Sequence, residues 1–196
     1  MKRIQRDDVA DLIAYERVRD EMRGRVIELK RGRRVSVGES ITLLFENRDT
    51  VLLQIQEMIR TERVVLEDKI QDEIDAYNAL IPDSGELSAT LFIELPDLHL
   101  LTQQEVHRAV NRFQGIDRDT VWLRTGRTSI AARFEEAQSN EEKLAAVHYV
   151  RFALDDEAHA CLADLAQPAC ISIDPPRYQA EAPIPSALRE DLVSEL

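Results

Sequence analysis

Between Phe45 and Thr50 the chain sets four polar side chains in a row, Glu46, Asn47, Arg48 and Asp49. An apolar run precedes them and a helical pattern follows. That pattern adds Gln54, Glu57, Arg60 and Glu62, and the upstream cluster "KRGRR" adds Arg33 and Arg34. Acids and guanidinium groups spaced like this can do two things. Converging on one cavity, Arg34, Glu46, Arg48, Gln54, Glu57, Arg60 and Glu62 would form a mixed ring able to hold a zwitterionic or carboxylate ligand. Staying local, Asn47 would cap the helix through its side-chain oxygen, while Glu46 and Asp49 would favour the positive end of the helix dipole. The same acids stand where a phosphate would sit, which argues against an anion site. Both readings remain open at this stage.

Placed at 100° intervals, Val51, Leu52, Ile55, Met58 and Ile59 share one face of the helix, and Glu62 falls within it. A carboxylate on an apolar stripe needs a partner, and Arg33 or Arg34 is the expected one. The alternative is a helix break that leaves Glu62 in solvent.

Other chemistries find less support. Glu46, Glu57 and Glu62 suggest carboxylate ligands, but Glu57 is followed by Met-Ile-Arg and not by the Glu-x-x-His spacing of a di-iron site. His99, His107, His148 and His159 show no metal-binding spacing. His148 lies on the same side of its strand as Val150, Phe152 and Leu154, so it reads as a core histidine. There is no nucleophile elbow and no glycine-rich phosphate loop. Cys161 and Cys170 lack basic neighbours and read as free thiols. No metal or cofactor is expected. Trp122 is read as core.

These side chains need elements to position them. A helical N-terminal segment spans 1–31, capped by Asp7 or Asp8 and ended by Gly32, with Val9, Leu12, Ile13 and Tyr15 and then Val18, Met22, Val26, Ile27 and Leu29 as its apolar positions. A hairpin follows, turning at Gly38-Glu39-Ser40. Residues 48–80 read as one helix of about 45 Å or as two, broken near Thr61 to Val65 where three β-branched residues lower the propensity. After a loop at 81–86, residues 86–175 are rich in strands. They include "LSATLFIELPD", a hairpin turning at Gly126, "VHYVRFAL" and "ACISIDPP". Thr102 and Glu105 form a capping box for an interposed helix. A C-terminal helix occupies 183–196, with Leu188 and Leu192 as its core residues. Hairpins interspersed with helices, without regular βαβ units, predict an α+β fold with an antiparallel sheet in a single domain, 1–196.

The chain carries 25 Lys+Arg and 37 Asp+Glu, a net charge of −12. Such a balance opposes non-specific nucleic-acid binding, so no nucleic-acid partner is expected. Residues 1–63 are near neutral, with 14 basic and 12 acidic side chains, whereas 64–196 hold 11 and 25. No stretch has the length and apolarity of a membrane span, and two unpaired cysteines suit a reducing compartment, so a cytoplasmic protein is expected. An apolar stripe on a long helix would also suit a homodimer.

The segments "YERVR", "KRGRRVSVG" and "LLFENRDTVLLQIQEMIRTE" resemble a bacterial family of uncharacterised proteins of about 200 residues. The likeness is concentrated in residues 1–63. Genes of that family often lie beside a rubrerythrin and an iron–sulfur oxidoreductase. The resemblance therefore implies an accessory or interaction protein of a redox or peroxide-handling system, docking such a partner through its N-terminal third. The alternative is an enzyme or small-ligand protein built on the mixed polar pocket.

Overall fold

The computed structural model describes residues 1–135 and 146–196, and for Leu98 the backbone alone. Among the described residues nine strands form two sheets in which every neighbouring pair is antiparallel. The first sheet runs β1 (Arg34–Val37), β2 (Ile41–Phe45), β3 (Glu86–Ile93), β7 (Val147–Ala153), β6 (Arg133–Phe134). The second runs β5 (Thr128–Ala131), β4 (Val121–Thr125), β8 (Ala169–Ile173), β9 (Ala180–Pro183). With the helices this is an α+β fold.

Alternation along the strands sends Val35, Val37, Leu43, Phe45, Leu91, Val150 and Phe152 of the first sheet toward Val121, Leu123, Ile171 and Ile173 of the second. His148 joins that alternation at 4 % exposure, with Phe134 edge-on at 5.6 Å between centroids. The other face of the first sheet presents Thr42, Ser88, Thr90 and Tyr149. It is covered by α2 (Arg48–Glu62) and α3 (Glu67–Asn78), whose Val51, Ile55, Ile59, Ile70 and Ile74 form a second core with Ile4, Val9 and Ile81. Because both faces of β2 are covered, all five of its residues are buried.

Several boundaries differ from the sequence reading. The N-terminal helix, α1, runs Leu12–Gly32 and is capped by Asp11, which accepts from the Ala14 amide. Asp7 and Asp8 lie in a separate 3-10 turn, Arg6–Asp8. Gly32 stays helical and does not take the left-handed conformation of a glycine stop. α1 packs on α2 from outside, so its apolar positions are not equivalent. Tyr15 and Val26 are buried, whereas Ile13, Val18 and Ile27 lie in solvent.

The stretch 48–80 is two helices. Arg63 adopts φ 52° and ψ 43°, its amide and that of Val64 closing on the Arg60 and Ile59 carbonyls, and α3 leaves in a new direction. The break falls in the β-branched segment. The strands divide between two sheets, not one. β9 escaped sequence reading because "AEAP" lacks strand-forming residues and its proline is tolerated only at an edge. Trp122 is half-buried on the outer face of β4, between the inward Val121 and Leu123. Thr102 and Glu105 form their capping box at the start of α4 (Gln103–Val110). The remaining helices are α5 (Asp156–Ala163) and α6 (Ser186–Glu195).

Candidate functional site

The polar row begins where β2 ends. Phe45 faces the inter-sheet core, so the next residue, Glu46, turns to the helix-covered face, and its backbone amide donates to the Ser88 carbonyl. Glu46 is 2 % exposed. Its carboxylate accepts from the hydroxyls of Thr50 and Thr90, the latter at 2.6 Å, and from Gln54 Nε2 at 3.2 Å. These three donors to the buried acid are all neutral. Beside it a crevice lined by Ser88, Tyr149 and Arg151 has free space of about 10 Å³, enough for about one water.

Asn47 caps α2. Its Oδ1 accepts from the Asp49 and Thr50 amides at 3.1 Å each, and Thr50 Oγ1 accepts from the Asn47 amide at 2.9 Å. The cap's other atom reaches away, with Nδ2 donating to Glu195 Oε1 at 2.9 Å. Arg33, 1 % exposed, meets the same carboxylate at 2.6 and 3.0 Å and donates through Nε to the Phe45 carbonyl at 2.8 Å.

The other candidates bind the N-terminal segment to α2. Arg48 pairs with Asp8 at 2.6 Å. Donation from the Gln5 backbone, and then from Arg48, holds the Asp8 carboxyl below its usual range. Glu57 accepts from Arg19 and Tyr15. Arg19 donation, with help from Tyr15, brings the Glu57 pKa down to about 2, while burial, reinforced by Glu57, pushes the Tyr15 hydroxyl up. Arg60 pairs with Glu16 at 2.6 Å.

The nine candidates therefore do not converge on one ring. Glu46 and Gln54 form one cluster, and Arg33 and Asn47 another with Glu195. Arg48, Glu57 and Arg60 each take a partner between residues 8 and 19. Arg34 and Glu62 are exposed, Glu62 just ahead of the helix break, and neither Arg33 nor Arg34 is its partner. The mixed-ring expectation is corrected on this geometry, because α2 carries its polar residues around several faces and each face meets a different element. Among the described residues no group of three or more His, Cys, Asp or Glu side chains is placed to hold a metal ion.

Sequence reading missed four residues of consequence. Glu195 lies at helical spacing from Leu188 and Leu192, a signal that could have placed it on the inward face. Gln56, 3 % exposed, grips both the amide and the carbonyl of Ala10. Arg151 joins Glu86 and Glu135 at 2.9 and 2.8 Å. Arg189, 4 % exposed, donates to four carbonyls in and just after α5. Among the described residues no helix is long and apolar enough to cross a membrane.

Fold and site together define an α+β protein with two antiparallel sheets, one of them clasped by helices through a buried polar junction. A family model described as protein of unknown function (DUF3501) matches residues 3–196, and the chain belongs to that family. It is similar to a novel protein of unknown function from Burkholderia pseudomallei K96243, known from a crystal structure. The two are 36 % identical with a TM-score of 0.88, over 100 % of both chains. No curated protein matches the sequence.

Proposed function

We propose that this protein is an interaction protein, an accessory of a bacterial redox or peroxide-handling system that docks its partner through the N-terminal third. One observation carries the reading: α1 extends over 21 residues yet buries only Tyr15 and Val26, leaving Ile13, Val18 and Ile27 in solvent. At 100° per residue Ile13 and Ile27 fall within about 40° of each other, with Val18 on the opposite side, and exposed apolar residues that share a face mark interaction surfaces more often than singly scattered ones do. The pairs Glu16–Arg60 and Arg19–Glu57 make α1 and α2 antiparallel. The start of α1 therefore lies at the same end as the α2–α3 elbow, where Val65 and Leu66 are 69 % and 61 % exposed. Charge favours the same surface, because residues 1–63 are near neutral while the rest of the chain would repel an acidic partner. The family resemblance supplies the partner class, a rubrerythrin-like protein or an iron–sulfur oxidoreductase.

The test is size-exclusion chromatography of the purified protein with each of these two neighbours at micromolar concentration. Co-elution is expected with at least one. Replacing Ile13 and Val65 by Glu, both on exposed positions, should weaken the complex at least about tenfold without lowering Tm. Separate elution of all three proteins sinks the proposal.

A further inference from the structure

Arg33 heads the fully buried side chains of the described residues in volume, and it carries a charge. Its guanidinium is held from behind by the Phe45 carbonyl and presents Nη1 and Nη2 to the two oxygens of Glu195. Asn47 Nδ2 adds a third donor to the same carboxylate. Three N–H groups converging on a planar pair of oxygens is how a guanidinium fork recognises a carboxylate in general. A phosphate suits the place less well. Asn47 Oδ1 already takes the Asp49 and Thr50 amides, which would otherwise be the natural donors to a third oxygen.

The two halves of this contact are anchored differently. The donor half is fixed: the Arg33 carbonyl accepts from the Phe45 amide at 3.0 Å, and Asn47 is locked by its own capping box. The acceptor half rides on the last turn of α6. That helix is held in the core further back, by Leu188 and Leu192 at 1 % exposure and by Arg189. Beyond them the hold is weaker: Val193 and Leu196 are only half-buried where they meet the inter-sheet core, and Ser194 is exposed. The Glu195 side chain is 20 % exposed against 1 % for Arg33, so the pair opens to water on the carboxylate side.

We infer that Arg33 and Asn47 form a carboxylate-recognition site, filled in cis by Glu195, which a free carboxylate takes over when the last turn of α6 unwinds. A buried guanidinium is not left without an anion, so the change is an exchange of one carboxylate for another. Unwinding one turn of a helix end leaves the anchors at 188, 189 and 192 in place.

Acetate is the probe. Glu195→Ala should lower Tm by several degrees, and about 100 mM sodium acetate should restore at least half of the loss, while sodium chloride or phosphate at equal ionic strength does not. If the variant does not fold in chloride, recovery of its native circular dichroism in acetate serves as the same readout, and failure in both salts overturns the inference. In the parent protein, amides 193–195 should exchange hydrogen faster in acetate than in chloride. Equal exchange in the two salts, or equal Tm of the variant in the two salts, overturns it as well.

Discussion

Glu57 on α2 accepts both N–H arms of Arg19 on α1, at 2.7 and 2.9 Å, and the Tyr15 hydroxyl at 2.6 Å. Three donors on one carboxylate make this the main polar fastening of a helix that otherwise buries little. Bidentate geometry distinguishes it from ordinary surface ion pairs, which contribute almost nothing.

The fastening is pH-dependent. Its folded-state pKa, about 2, lies below the ordinary carboxylate value of 4.5, so folding favours the ionised form. The contribution is fully present above the unfolded value and is lost as pH falls from there toward about 2. Partial exposure lets water screen the pair, so Glu57→Gln should cost about 1 kcal/mol at neutral pH. Urea unfolding of parent and variant should show that gap closing between about pH 5 and about pH 2.5. A gap that stays constant would contradict the assignment.

At Glu46 the partners are neutral, and that changes what a substitution does. Hydroxyls can turn from donor to acceptor, so Glu46→Gln keeps its bonds with Thr50 and Thr90 and should cost less than about 1 kcal/mol. Glu46→Leu removes the acceptor of the Thr90 hydroxyl and of Gln54 between sheet and helix, while Thr50 keeps its bonds to Asn47, and should cost about 2–4 kcal/mol. Denaturant unfolding separates the two. Equal losses would mean that the carboxylate charge itself matters.

The sequence made the helix cap at Asn47, the turn at Gly38 and the capping box of α4 legible because each is a local contest among neighbouring residues. The break at Arg63 was legible as one of two outcomes, since β-branched residues weaken a helix without fixing where it ends. Partner choice was not legible. Arg33 finds Glu195 162 residues away, and Glu57 finds Arg19 38 residues away. Nothing in the spacing near either residue encodes those pairings, which depend on how α1 and α6 settle against α2. The acid–base composition of residues 33–62 therefore pointed to a polar junction while leaving its division into separate clusters to the fold.

Arg189 should behave as a structural hub. Its guanidinium donates to the carbonyls of Cys161, Leu162, Asp164 and Gln167, closing the end of α5. Replacing it with Met keeps the apolar stem and removes the donors, so Arg189→Met should cost about 2–4 kcal/mol. Arg189→Lys should recover little of this, because an ammonium cannot span four acceptors in the guanidinium plane. Full recovery by Lys would show that charge alone is required.

Cys170 should be a slow thiol. Burial, with a hydrogen bond to Glu181 second, raises its pKa from 9.0 to about 11. The thiolate is the reactive form, so at pH 8 alkylation by iodoacetamide should run about a hundredfold below an ordinary thiol and accelerate through about pH 11. Peptide mapping after timed alkylation follows the site. Modification of Cys170 at pH 8 as fast as a free thiol would contradict the burial argument.

Gly38 and Tyr178 should be coupled in the same measurable way. Gly38 turns the β1–β2 hairpin at φ +69°, and a Cβ there would collide with Tyr178 Oη and lie 3.1 Å from the Ala180 Cβ. Tyr178 has little freedom to yield. Its hydroxyl donates to the Val37 carbonyl at 2.6 Å, and its ring packs on Phe113 at 4.9 Å between centroids. Gly38→Ala should therefore cost about 2–4 kcal/mol, combining left-handed strain with the collision. In a Tyr178→Phe background the colliding oxygen is gone, while the ring Cζ at 3.2 Å and the Ala180 Cβ at 3.1 Å still crowd the new methyl, so the same glycine change should cost less, about 1–2 kcal/mol. Urea unfolding of the four proteins in this cycle measures the difference, and strictly additive losses would show that the hydroxyl does not set the limit at Gly38.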